Sequence, residues 1–564
     1  MKKEIYFGTY KKSNAKQLAK YIESLSENIE SYRSYGYPFF KGEYGFEYKE
    51  FLENKELNQS SLSPEETFKY LSQYFKNVVD YNNPGTMINV IPSVNLVAMA
   101  AAAFAETFNQ NFAQDTYSGN LIMSELETSK YMSDIIGWDW KKTFGFFTFG
   151  GTGTNLYGNK LMLVNADPNS RTNGVEKGKY FMLTSKSGHP CHYQLCDWLG
   201  IGSDSCIEVP CNNNNEISIY DCKRIIDENI QKGKIFLGFN LNGGSTNEMT
   251  IDPIKKIYNL NKEIIDKYNL NYTPHIHVDS VLGWIYLFFN NYDFKENELN
   301  IENKYLKIIK KLNHQIRDIK YATTIGIDFH KTGFCPYVTS MILVKDYNVF
   351  YKLNPDKKMS IEELKYGNYN PYLTALEYSR SCHGPIAALT NLKSLGIVGI
   401  QELCAEITIS AHYFRDELAK NKNVTIIFDK SLGNATMFVI RPKYMPRFTE
   451  KDLYKFSKNE ILKLREFNVN FGKYILNRSI NNNISFFFTS SRSYTLPNSD
   501  IKVGTLKAYP MSVFLDKNEV DRIIAELNDE IDLYLATENV DFGKEEFFQD
   551  MSKDTKIEGV KSNE

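Results

Sequence analysis

With 564 residues the chain is too long for one ordinary domain, and at 42% hydrophobic and 24% charged it has a globular composition. A net charge of −2 excludes an electrostatic field that would gather nucleic acid or an anionic membrane, so neither is an expected partner. The basic N-terminus has no apolar stretch behind it, and the most apolar run, residues 95–108, is too short to cross a bilayer; a soluble, cytoplasmic chain is expected. The eight cysteines form no CxxC pair. They read as reduced, buried thiols rather than as a zinc or disulfide framework.

Residues 1–115 are expected to be largely helical, with one helix within 13–32 and another opening at Ser63-Pro64-Glu65-Glu66. That opening combines an N-cap serine, a proline at the first helical position and acids in the first turn. From 116 to 384, helical segments alternate with short apolar runs: GFFTFGG, YFMLTS, SCIEVP, IFLGFNLNGG, HIHVD and TTIGID. Each ends in Gly, Pro, Ser or Asp, a pattern that predicts an α/β domain built on a mostly parallel sheet. Long helices, the strands VTIIFD and ATMFVIRP and a last helix from Asp516 predict a smaller α/β domain over 385–545. A charged tail follows at 546–564.

Ligands of an open parallel sheet bind beyond the carboxyl ends of its strands, so the residues that terminate strands are the candidates. The run Gly150-Gly151-Thr152-Gly153-Thr154-Asn155 fits a phosphate seat at a helix N-terminus, with Thr152 and Thr154 as hydroxyl donors, and equally fits a plain glycine turn. His189 and His192 lie between a strand and an amphipathic helix. Thr246 follows a second glycine pair. Asp279 closes the strand HIHVD, where a buried carboxylate needs a cationic partner. His275, His277 and Asp279 share one strand face but lack a further ligand to complete a metal site. His330-Lys331 stands where an apolar strand surfaces. In chain order these supply a phosphate cradle, a histidine, an anion for a ring nitrogen and an amine, the parts that a pyridoxal phosphate site requires.

The pieces FGGTGTN, CHYQLCDWLGIG, GSTNEMTIDP, HVDSVLGW and DFHKTGFCPY together resemble the fold-type-I, group II pyridoxal phosphate-dependent amino-acid decarboxylases over residues 75–520. CHYQLCDWLGIG and HKTGFCPY are closest in flavour to bacterial tyrosine decarboxylases. The resemblance implies a PLP-dependent transferase-like fold with a seven-stranded sheet, and pyridoxal 5'-phosphate as cofactor. It implies that Lys331 forms the Schiff base and that Asp279 holds the pyridine nitrogen protonated. It further implies that His192 and Val281 cover the two ring faces, that Thr152, Gly153 and His330 hold phosphate, and that Thr246 lies nearby. The implied reaction is decarboxylation of an L-amino acid, aromatic or apolar by preference, to the amine through an external aldimine and a quinonoid, with Tyr366 or Tyr369, ahead of Tyr372, returning a proton to Cα. A homodimer with a shared active site, wrapped by the N-terminal helices, is also implied. An aldehyde synthase, a C–C lyase or a non-catalytic relative stays open as an alternative. Phe329 departs from the family's usual proline, Ser280-Val281 replaces an alanine pair, and 291–320 looks like an insertion.

Overall fold

The computed structural model describes residues 3–42, 47–53 and 55–537. The charged tail expected at 546–564 and the last residues expected of the small domain lie outside them. Among the described residues the strands form two sheets. The first strand is β1 (Thr86–Met87). The alternating region then supplies β2 (Phe144–Thr148), β3 (Tyr180–Ser185), β4 (Cys206–Val209), β5 (Ile235–Asn242), β6 (His275–Asp279), β7 (Thr324–Asp328) and β8 (Ser340–Val344).

These seven strands order as β2-β8-β7-β6-β5-β3-β4, and every pairing is parallel except the two made by β8. The strands are buried along nearly their whole length, which explains why they read as continuous apolar runs rather than as alternating ones. Six of the seven correspond to the runs named from sequence. β8 is the apolar run that follows the Lys331 turn, and a short turn can join it to β7 only because the pair is antiparallel.

The segment 291–320, read as an insertion, contains the crossover that β6 and β7 require. Parallel neighbours cannot be joined by a tight turn, and the helix Asn303–Ile316 makes the return while burying Ile309, Leu312 and Ile316 in the main core. The helix Pro64–Ser72 begins as expected, with Ser63 and Glu66 closing a capping box.

The second sheet is ordered β1-β11-β12-β10-β9, with β9 (Val424–Ile427), β10 (Thr436–Ile440), β11 (Phe487–Thr495) and β12 (Lys502–Ala508). β1, from the N-terminal segment, joins it in parallel with β11, so that Met87 and Ile88 belong to the same apolar cluster as Phe438, Phe488 and Leu506. The helix His383–Leu418 runs through the boundary expected at 384/385 and changes direction at Gly396, where φ is 63°. It is long and apolar enough to cross a membrane by length and composition, but its apolarity is that of a core helix: Ala388, Cys404, Ile407 and Phe414 are buried. All eight cysteines are buried, and none is paired.

Candidate active site

β6 and β7 are neighbours at the middle of the large sheet, and the turns beyond their carboxyl ends meet. β7 ends in Asp328, which is fully buried. Its Oδ1 accepts from Ser340 Oγ at 2.6 Å, and its Oδ2 lies 2.8 Å from Lys331 Nζ and 3.5 Å from His330 Nε2. Burial works against the Lys331 ammonium. Asp328, with Asp279 and Tyr337 behind it, outweighs burial and holds the amine above its usual range. For His330 burial wins, and its value falls despite Asp328. The Thr339 N–H donates to His330 Nδ1 at 3.1 Å, so the ring nitrogens of this predicted phosphate ligand are directed at Thr339 and Asp328.

The turn is anchored by Phe329. Its ring is fully buried against Trp284, at a centroid distance of 4.8 Å, and against Phe147. Its N–H donates to the Thr339 carbonyl at 2.8 Å, a bond that proline has no N–H to make. The departure at this position thus exchanges a rigid ring for a hydrogen bond and a core contact. The Tyr337 ring lies 4.0 Å from that of His330, and burial pushes its hydroxyl up to about 12.

β2 leads into the helix Gly151–Ala166 through Gly150, whose φ of 127° suits glycine. The first intrahelical bond is from Thr154 N–H to the Gly150 carbonyl, so the amides of Gly151, Thr152 and Gly153 precede it and are available to an anion. Thr152 is exposed at this opening and Gly153 is buried. Thr154 is not a donor to the opening: it is buried and gives its hydroxyl to the Gly151 carbonyl at 2.7 Å. A Cβ at Gly151 would stand 2.8 Å from Asp328 Oδ2 and 3.2 Å from Val281 Cγ1, which brings the glycine run, the Lys331 turn and Val281 to one place.

Asp279 is 8% exposed. Its Oδ2 accepts from Asn155 Nδ2 at 2.9 Å, and Asn155 Oδ1 meets His277 Nε2 at 2.7 Å. Cys191 Sγ also faces the Asn155 amide, at 3.4 Å; burial, then the Asp279 charge, pushes that thiol up to about 12. His192, in the first turn of the helix Cys191–Trp198, is buried and acts electrostatically on His277. Thr246 is half-buried in the turn after β5. His189 accepts from the Cys191 N–H and caps the turn. Tyr366 and Tyr369 line a separate cavity of about 520 Å³ between the helix Met123–Ile136 and the segment 347–369. Tyr366 is 73% exposed, whereas Tyr369 is buried with its hydroxyl on Glu125.

The residues fit pyridoxal phosphate: a cradle that a Cβ would fill, a buried carboxylate across from it, and between them a lysine whose side chain keeps 23% exposure. Sequence reasoning did not assign Asp328, Asn155 or Tyr337. The signal for Asp328 was present, as an acid three residues before the lysine. Asn155 carried none, because its partner is 124 residues away.

Residues 47–290 match the family model described as the pyridoxal-dependent decarboxylase conserved domain. That stretch holds the glycine run, His192, Thr246 and Asp279, and ends before Lys331. The fold is similar to that of mouse CSAD, at 15% identity and a TM-score of 0.73 over 91% of this chain and 99% of that one. It is also similar to Catharanthus roseus tryptophan decarboxylase in complex with L-tryptophan, at 14% identity and a TM-score of 0.70 over 93% and 98% of the two chains. Oryza sativa TDC with PLP and tryptamine matches at 13% identity and a TM-score of 0.72 over 93% and 100%.

Proposed function

Through residues 47–290 the chain belongs to the pyridoxal-dependent decarboxylase family, and from that premise we propose that this carboxy-lyase acts on an aromatic or apolar L-amino acid, releasing carbon dioxide and the amine. Pyridoxal phosphate, when bound, supplies an electron-poor ring that accepts the electrons of the broken Cα–carboxylate bond. Lys331 would hold it covalently. The amides of Gly151, Thr152 and Gly153, with the Thr152 hydroxyl, would hold its phosphate; His192 and Val281 would cover its faces, Asp279 would keep a proton on its ring nitrogen, and Thr246 and His330 would stand at its edge. The observation that carries this reading is the convergence of Gly151, Asp328 and Lys331, with a Cβ at Gly151 2.8 Å from the carboxylate that Lys331 Nζ also meets at 2.8 Å.

The proton that replaces carbon dioxide on Cα is assigned to Tyr366. Of the two candidate tyrosines it is the exposed one, while Tyr369 is committed to Glu125. We assign the chain to a homodimer in which that tyrosine serves the partner's site. Exposed apolar side chains on the helix Leu96–Glu106, among them Leu96, Val97 and Phe104, together with Phe149 and Val338 near the glycine run, support an interface there. A reducing, cytoplasmic setting is supported by eight buried, unpaired thiols. The aromatic preference rests on the likeness of CHYQLCDWLGIG and HKTGFCPY to bacterial tyrosine decarboxylases, and one structural neighbour is a tryptophan decarboxylase.

The test is carbon dioxide release from a set of L-amino acids by protein with a borohydride-sensitive visible band, beside Lys331→Ala. Tyrosine, tryptophan, phenylalanine or leucine as preferred substrate, with amine as product, is expected. Preference for glutamate would overturn the substrate assignment, and aldehyde in place of amine would overturn the reaction.

A further inference from the structure

We propose that Asn155, His277, Thr324 and His275 form one polarised hydrogen-bond chain that positions Asp279, and so are positioning residues for the decarboxylase reaction. The inference rests on the cofactor reading above. Its force comes from the fact that each link fixes the direction of the next.

Asp279 Oδ2 is 2.9 Å from Asn155 Nδ2. A carboxylate only accepts, so the amide presents its nitrogen to Asp279 and its oxygen to His277, 2.7 Å from Nε2. That oxygen only accepts, so the proton is on Nε2. His277 is fully buried, and burial pushes it down to about 3, leaving the ring neutral and Nδ1 bare. Nδ1 lies 2.8 Å from Thr324 Oγ1 and takes the hydroxyl proton. With that proton spent, Thr324 Oγ1 accepts at 2.7 Å from His275 Nε2, on a second ring that burial pushes down to about 3. Running the chain in the opposite sense would require a proton on Asp279. The carboxylate form of Asp279, the form needed opposite a protonated ring nitrogen, therefore sets the sense of the whole chain.

The backbone is built to hold this chain. His275, His277 and Asp279 alternate onto one face of β6, and Thr324 stands directly across from His277 in the β6–β7 register. Asn155 and Gly158 lie one turn apart on the covering helix. A Cβ at Gly158 would stand 2.5 Å from His277 Nδ1, so the glycine is where the helix rests on the imidazole. Five polar side chains, none more than 8% exposed, are an expensive way to fill a core unless their direction matters. The charged and titratable groups facing the chain are Lys331 and Cys191 at Asp279, His192 at His277 and Lys352 at His275.

Thr324→Val removes the hydroxyl while keeping the shape, two links from Asp279, and Thr324→Ser restores the hydroxyl. Asn155→Leu cuts the chain at Asp279. Pyridoxal phosphate dissociation constants, the pH dependence of the bound cofactor's visible band, and kcat and KM are measured for each. Asn155→Leu is expected to weaken cofactor binding roughly ten- to a hundred-fold, the loss of one hydrogen bond to a buried charge, and to lower kcat more than it raises KM. Asn155→Leu and Thr324→Val are both expected to shift the band's pH dependence, Thr324→Val by less, and Thr324→Ser to return it to wild type. Equal behaviour of the Val and Ser variants, even if Asn155→Leu does not fold, would overturn the proposal, as would wild-type affinity in Asn155→Leu. Wild-type protein that takes up no pyridoxal phosphate would overturn the cofactor reading and this inference together; uptake by wild type with unaltered variants overturns this inference alone.

Discussion

Asp328 Oδ2 and Lys331 Nζ are 2.8 Å apart, and the carboxylate is buried where the lysine remains reachable. With Lys331 as the proposed cofactor anchor, the pair would set the order of events at the site. An ammonium cannot attack a carbonyl, and Asp328, overcoming burial, keeps Lys331 protonated. Because the folded-state value is raised, the pair's contribution to stability is fully present below the ordinary lysine value of about 10.5 and is lost as pH rises through the raised value. Asp328→Asn is expected to lower the lysine's value and to speed severalfold, near pH 8, the borohydride-trappable reaction of cofactor-free protein with pyridoxal. The unphosphorylated aldehyde keeps phosphate repulsion out of the comparison. An unchanged trapping rate would show that Asp328 does not govern the amine.

Glycine at 158 sets two effects against each other. Within a helix, alanine in place of glycine ordinarily stabilises by about 0.5–1 kcal/mol. At Gly158 the added methyl would stand 2.5 Å from the His277 ring, and overpacking a rigid core costs about 1–3 kcal/mol. Packing should win, so Gly158→Ala is expected to lower the denaturant midpoint and to weaken cofactor binding with it. A higher midpoint would mean that the ring moves aside freely.

The strands that carry the site were legible because burial on both faces leaves apolar runs, and because β6 and β7 each stop at an acid, Asp279 and Asp328. What those acids touch was not legible. Asp328 acquires its Ser340 partner through the antiparallel register of β7 and β8, and Asp279 acquires Asn155 through the packing of a helix 124 residues away in sequence. The same limit hid β11 and β12: the polar run around Ser490 and Ser491 masks a strand whose partners, β12 and Thr86–Met87, lie far off in the chain. Thr154 looked like a phosphate donor beside Thr152. Helix phase turns it inward instead, where a Cβ at Gly326 would stand 2.3 Å from its hydroxyl.

Glu125 and Arg380 form a buried ion pair, and Arg380 also donates to the carbonyls of Phe112 and Phe147. Removing one partner strands the other charge, a loss of about 3–5 kcal/mol, whereas removing both together is close to neutral. Arg380→Met is expected to fall by that amount in chemical denaturation, and Glu125→Leu with Arg380→Met to recover most of it. Failure of the double variant to recover would place the loss in the backbone bonds rather than in the stranded charge.

The two loop tyrosines should separate by phenotype. Tyr366→Phe removes an exposed hydroxyl, so melting is expected to stay at wild type while amine formation falls at least tenfold, the usual worth of a positioned proton donor being about 100-fold or more. Tyr369→Phe withdraws the hydroxyl that donates to Glu125 at 3.4 Å and is expected to lower stability by about 1 kcal/mol with activity largely kept. The reverse assignment would follow if Tyr369→Phe alone abolished amine formation.

Acid should loosen the fold before most carboxylates titrate. His275, His277 and His412 are each pushed down to about 3, primarily by burial, against an ordinary value of 6.5. Between those values the unfolded chain binds more protons than the folded one, so stability falls as pH falls through 6.5. Asp252 opposes this: burial raises it to about 7 despite hydrogen bonds from the Asn242 and Ile217 amides, so the folded state gains a proton there as pH falls. Three histidine protons against one carboxyl proton leave a net uptake on unfolding approaching two, or up to about 2.7 kcal/mol per pH unit at the steepest. His330, lowered for the same reason, adds to the histidine side. Urea midpoints taken at pH 7.0, 6.0 and 5.0 are expected to fall in that order, and to fall less in His412→Gln, which removes one buried ring remote from Asp279. Midpoints that hold steady or rise across that range would mean that Asp252 outweighs the rings.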